Sequence, residues 1–221
     1  MFWFLLGSGC LVPGTFFLWW RQGRSWWWLV GIWLAVVIGA VGLVFCCGQR
    51  ELGAKLILGV VAGNVALGGG VSLITGKSST QLCRTVCGWL VLGLVGCVWA
   101  ASYGHIGVFT GLGLIIVGVV AMWQSGRALV SAKTKVDVLC QALWWVNLIL
   151  VTLGLGLFAL LTGGIHLAQS VAVVILPWLM GMVLVVVVAS WLPKKTARVW
   201  GGLIVLLYLV LLWYGFNPVR I

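Results

Sequence analysis

From Arg84 to Arg127 the chain reads RTVCGWLVLGLVGCVWAASYGHIGVFTGLGLIIVGVVAMWQSGR, and no Asp, Glu, Lys or Arg lies between those two arginines. Broken once near Gly104 and His105, this run supplies two apolar stretches of about 20 residues, each long enough for a helix of roughly 30 Å across a hydrocarbon core. The apolar residues are continuous rather than alternating, which excludes a barrel with a polar lumen. Lipid then requires helices, because only they satisfy their own backbone groups within one segment.

The rest of the chain repeats the pattern. Of 221 residues 63% are hydrophobic and 7% charged, with a mean hydropathy of +1.24, which leaves too little polar surface for a soluble domain. The expected fold is all-α, a polytopic transmembrane helix bundle of about eight spans, at about 2–20, 25–48, 56–75, 85–103, 104–123, 138–161, 171–192 and 199–215. Pro13 and its neighbouring glycines leave open a re-entrant first segment. No connection is long enough to fold separately and no linker divides the chain, so residues 1–221 read as a single integral membrane domain.

Charge gives an orientation. Arg21 and Arg24, Lys77 and Arg84, Arg127, Lys133 and Lys135, and Lys194, Lys195 and Arg198 occupy the odd connections, ten of thirteen cations. Arg50, Lys55 and Arg220 are the others. The positive-inside rule places the odd connections in the cytoplasm and both termini outside, as in a protein of a bacterial cytoplasmic membrane. The first span lacks a basic leader and is followed by Arg21 and Arg24, which reads as an uncleaved anchor. Tryptophan repeats the asymmetry: Trp19, Trp20, Trp26, Trp27, Trp28, Trp89, Trp123, Trp144, Trp145, Trp191 and Trp200 fall near the expected cytoplasmic ends, and Trp3, Trp99 and Trp213 near the outer ones. They read as an anchoring belt beside anionic lipid, or as a docking edge for a membrane-protein partner or a second copy. The net charge of +11 is spread over short connections beside the bilayer and calls for no nucleic acid.

The ionisable inventory narrows the chemistry. Glu51 and Asp137 are the only carboxylates, both in expected connections, and no span carries an Asp, Glu, Lys or Arg. Ion-coupled carriers place such groups in the membrane, and paired-carboxylate or Ser-His-Asp catalysis needs a buried acid, so an enzyme is not expected. Asn64 and Asn147 are interhelical hydrogen-bonding residues or solute contacts. His105 and His166 both map to the outer side; they are interfacial polar residues, sensors of external acid through imidazoles that titrate near pH ~6.5, or ligands to a metal or haem. No residue set demands a cofactor. The seven cysteines form no zinc pattern and read as small packing residues, with an outer disulfide or lipidation at Cys83 or Cys140 as alternatives.

Glycine sets how the helices pack, since lipid gives little reward for burying one apolar surface against another. Gly59 and Gly63 form one small-xxx-small pair and Gly107 and Gly111 a second, with Gly68, Gly69, Gly70, Gly154 and Gly156 extending the smooth surfaces. A repeat also shows: Gly59-Val60-Val61-Ala62, followed by Val71-Ser72, recurs as Gly118-Val119-Val120-Ala121, followed at the same spacing by Val130-Ser131. Its period corresponds to one helical hairpin.

The stretch Gly88 to Lys133, with its spaced glycines and basic return connection, resembles the hairpin unit of small bacterial HdeD-type membrane proteins. The resemblance implies hairpin repeats over the second through seventh spans and a role in envelope or acid stress, and it implies no active-site residues. From the residues themselves the expectation is a non-enzymatic membrane module or accessory subunit. The alternatives are a permease or facilitator for a small solute, lined by Asn64 and Asn147, and a membrane subunit of a larger redox or export complex.

Overall fold

The computed structural model describes residues 31, 35, 50–75, 80–126, 143–167 and 171–216. Among the described residues seven α-helices have both ends defined: α1 (Arg50–Asn64), α2 (Gly70–Thr75), α3 (Thr80–Ser102), α4 (Val108–Gly126), α5 (Leu155–Thr162), α6 (Leu176–Ala189) and α7 (Lys194–Phe216). Among the described residues three five-residue π-helical turns interrupt the longer rods. Val65–Gly69 joins α1 to α2, Leu150–Gly154 precedes α5 in the rod Leu143–Thr162, and Val171–Ile175 precedes α6. The last has a local cause, since Pro177 lacks the N–H that a regular helix would aim at the carbonyl one turn earlier.

Among the described residues four helices are long and apolar enough to cross a membrane: Thr85–Ser102, Val108–Ser125, Leu143–Thr162 and Val171–Ala189. The expected count of about eight is therefore not reached. The spans placed at 2–20 and 25–48 lie outside the described residues apart from Gly31 and Ala35. The stretch placed at 56–75 is a helix broken at Val65–Gly69, and it starts six residues early, at Arg50. That early start takes Glu51 and Lys55 out of the expected connection and pairs them at 2.6 Å one turn apart. Lys194, Lys195 and Arg198 likewise belong to the start of α7 rather than to a loop.

Tight turns link the rods. Between α3 and α4 the chain reverses over Tyr103 and Gly104, whose φ of +78° suits glycine. After α5, Gly163 and Gly164 carry φ of +70° and +122°, and Gly164 N–H reaches back to the Ala159 carbonyl at 2.8 Å, closing the helix in Schellman fashion. The two turns meet as a two-residue antiparallel ladder, β1 (His105–Ile106) on β2 (Ile165–His166).

The packing scheme has an internal equivalence. The α1–α2 rod packs on the Leu143–Thr162 rod, and α3 packs on α6. The remaining helix contacts fall into matched pairs: α2 on α7 answers α5 on α4, α3 on α4 answers α6 on α7, and the α1–α2 rod on α6 answers the Leu143–Thr162 rod on α3. Exchanging residues 50–126 with 143–216 therefore returns the same set of helix neighbours, with the short strands that follow α3 and α5 outside the scheme. The close crossings match too. A Cβ on Gly111 would stand 2.9 Å from the Gly156 carbonyl oxygen, and one on Gly201 would stand 2.8 Å from that of Gly70. Gly70 and Gly156 each lie just beyond a π turn. Burial along residues 111–119 and 201–209 follows one sequence of buried, half-buried and exposed positions throughout.

This three-helix equivalence differs from the hairpin period read in the sequence. The glycine motifs at Gly59 and Gly118 fall on rods with different sets of neighbours, so the repeated letters do not mark equivalent positions. The outward faces are apolar: Phe109, Leu112, Ile116, Val119 and Trp123 form an exposed stripe along α4, and Leu203, Leu206, Val210 and Trp213 another along α7. At helical spacing, such stripes suit contact with lipid acyl chains.

Candidate functional site

At the centre of the bundle the α1–α2 rod and the Leu143–Thr162 rod run antiparallel. Gly154 lies against the Ile57 side chain and Gly68 against that of Leu143. The intervals 57 to 64 and 147 to 154 are equal, as are 64 to 68 and 143 to 147, so Asn64 and Asn147 stand at the same height on facing rods. Both are fully buried at 0% exposure, and neither the amide nitrogen nor the oxygen of either side chain has a hydrogen-bond partner. Each orphaned group costs about 1–3 kcal/mol when buried, and an apolar residue of similar size would avoid that cost.

The surroundings add donors and no charge. Trp144 and Trp145 are buried with unpartnered indole N–H groups, and Trp144 packs on Gly69 at the π turn of the facing rod. Both were expected in an interfacial belt; they are core residues because the rod that carries them is covered from several sides. Trp123 and Trp191, by contrast, are exposed. Ser125 Oγ, near the end of α4, is buried and unpartnered as well. Other hydroxyls are used locally: Thr152 donates to the Leu148 carbonyl at 2.6 Å and Ser72 to that of Gly69 at 2.8 Å, each beside a π turn where the regular backbone ladder is interrupted.

The glycines expected to pack separate into different roles. Gly59 and Gly63 are buried. Gly111 makes the backbone crossing on Gly156, whereas Gly107 precedes α4 and has only the His105 ring within reach. Gly201 completes the second crossing and was not singled out by sequence, although Ala197 and Gly201 also carry the small-xxx-small spacing. Cys87 and Cys97 are buried; Cys10, Cys46, Cys47 and Cys140 fall outside the described residues.

At one end of the bundle His105 and His166 are direct partners across the β1–β2 ladder, with ring centroids 6.0 Å apart and planes inclined by 41°. Both rings are exposed, while Ile106 and Ile165 point from the opposite face of the ladder into the core. His105 Nδ1 donates to the Tyr103 carbonyl at 3.2 Å. No group of three or more His, Cys, Asp or Glu able to hold a metal occurs among the described residues.

No family model, no curated protein and no solved structure matches the chain. What the fold defines is a class: a helical protein with several rods fit to cross a bilayer and an uncharged polar centre between two interrupted ones.

Proposed function

We propose that this protein is a facilitator or permease for a small, uncharged, hydrogen-bonding solute, which passes between residues 50–126 and 143–216 at the level of Asn64 and Asn147. The observation that carries the reading is the pair of fully buried, unpartnered amides at one height on two antiparallel, π-interrupted rods. A solute offering both donors and acceptors would satisfy them, and would find further donors on Trp144 and Trp145. The centre lacks a counter-charge, which favours a neutral molecule over an ion. The matched packing of two three-helix units around antiparallel central rods supports the same reading, because transporters commonly place their sites where inverted repeats meet at broken helices. A module that serves only as a structural subunit would be better built with Leu at both asparagine positions.

The test uses the full chain in liposomes and stopped-flow light scattering with urea and glycerol as probes. The wild type should admit at least one of them about 10-fold faster than empty liposomes, and Asn64→Leu and Asn147→Leu should return the rate to the empty level while remaining folded. Equal rates for the wild type and both variants would refute the reading.

A further inference from the structure

The histidine pair lies away from the buried centre and has a chemistry of its own. β1 and β2 are only two residues long, yet their register sets His105 opposite His166, so that both side chains leave the same face of the ladder. Opposed residues of an antiparallel pair have Cβ atoms about 4.5–5.5 Å apart, within reach of a shared ligand. An ion held about 2.1 Å from one nitrogen of each ring sits roughly 3.2 Å from each ring centre, so two imidazoles sharing one ion have centres about 5 to 6 Å apart. The observed 6.0 Å is within a small rotation of that arrangement.

The protonation pattern also suits a ligand. A carbonyl can only accept, so the contact from His105 Nδ1 to the Tyr103 oxygen at 3.2 Å places the ring proton on Nδ1 and leaves the Nε2 lone pair free. A backbone carbonyl that fixes tautomer and ring in this way is the usual outer partner of a metal-bound imidazole. A Cβ on Gly107 would stand 3.5 Å from Nε2, and glycine leaves that space open. Of the described residues only Glu51 is acidic, and it is paired with Lys55, so solvent would complete the coordination.

We propose that His105 and His166 form a two-imidazole site for a divalent transition-metal cation of the copper or zinc class, one ring nitrogen coming from each turn. Imidazole selects such ions over magnesium and calcium, which require oxygen ligands. β1 lies within residues 50–126 and β2 within 143–216, so the ion joins the two three-helix units at one end. Binding stabilises the folded chain by mass action.

The experiment takes the full-length protein in detergent, free of any polyhistidine tag and with accessible thiols blocked by N-ethylmaleimide, and titrates it with CuCl2 under electron paramagnetic resonance and with ZnCl2 in a melting assay. One Cu2+ per chain with hyperfine structure from two nitrogens is expected. His105→Gln and His166→Gln should each leave one nitrogen and weaken binding at least 10-fold, and magnesium should not compete. Zn2+ at about 100 times its dissociation constant should raise the melting temperature by roughly 5 °C in the wild type and in neither variant. A wild-type copper spectrum without two nitrogens overturns the site whatever the variants do. Binding that survives both substitutions unchanged overturns it equally. The result is independent of solute flux, which the site does not require.

Discussion

Residues 50–126 and residues 143–216 build one packing scheme from different side chains, and where they diverge is instructive. The interrupted rod of each unit crosses a continuous helix of the other through a pair of glycines, Gly70 on Gly201 and Gly156 on Gly111. The second crossing is the tighter: a Cβ on either glycine would fall 2.8 or 2.9 Å from a carbonyl oxygen, whereas at the first the Cβ on Gly70 would lie 3.4 Å from the Gly201 oxygen and meet the Val205 side chain sooner. The polar residues diverge further. Asn64 sits directly before its π turn, whereas Asn147 lies ahead of its own and has two buried tryptophans within the preceding turn. Packing is held in common between the two units, and the uncharged centre is assembled from unequal contributions.

Substitution can break this comparison at graded cost. Gly111→Val and Gly156→Val should be the most damaging, at about 3 kcal/mol or more, because a backbone carbonyl in the facing rod cannot move aside. A melting assay in detergent reads the loss, and Gly113→Val, at a position with open space around its Cβ, should change little beyond the exposed helix face. Gly201→Ala comes next at about 1–3 kcal/mol, with Gly70→Ala milder since its Cβ meets a side-chain methyl before any carbonyl; equal losses at the two would contradict this difference between the two sides of one crossing. Asn64→Leu and Asn147→Leu should leave the melting temperature unchanged or raise it, since each removes two unpaired buried atoms, while solute entry falls about 10-fold. Smallest is Trp89→Phe, which removes the 3.3 Å bond from its indole to Gln124 on α4; a change below about 1 kcal/mol should appear in chemical unfolding.

Much of the fold around the quoted stretch is legible in the letters. Uninterrupted apolar runs flanking Gly104 and His105 specify α3, α4 and the reversal between them. The π turns are not legible, because Val65–Gly69 and Leu150–Gly154 look like ordinary helix in composition, and only tertiary packing decides which turn widens. The three-helix equivalence is hidden for a related reason. Its matching positions share burial and not identity, as with Gly118, which faces Thr152, and the larger Tyr208 at the corresponding place on α7. Trp144 and Trp145 were misread because an indole near the end of an apolar run can sit at an interface or in a core, and sequence gives no neighbours with which to choose. The asparagines stand out as amides in the middle of apolar runs, but that they share a height follows from the antiparallel crossing alone.

The most direct measurement of that shared polar centre is thiol labelling in a cysteine-free background, with single cysteines at Asn64, Asn147, Ala62 and Val146 in the membrane-embedded protein. All four positions are fully buried, and only the first two belong to the unpartnered amides. A small water-soluble methanethiosulfonate should modify cysteines at 64 and 147 at least 10-fold faster than those at 62 and 146, and urea or glycerol should slow the reaction at the first pair if it is the solute carried. Equal inertness at all four would mean that no polar path reaches the asparagines, and the account of this protein as a solute facilitator would fall.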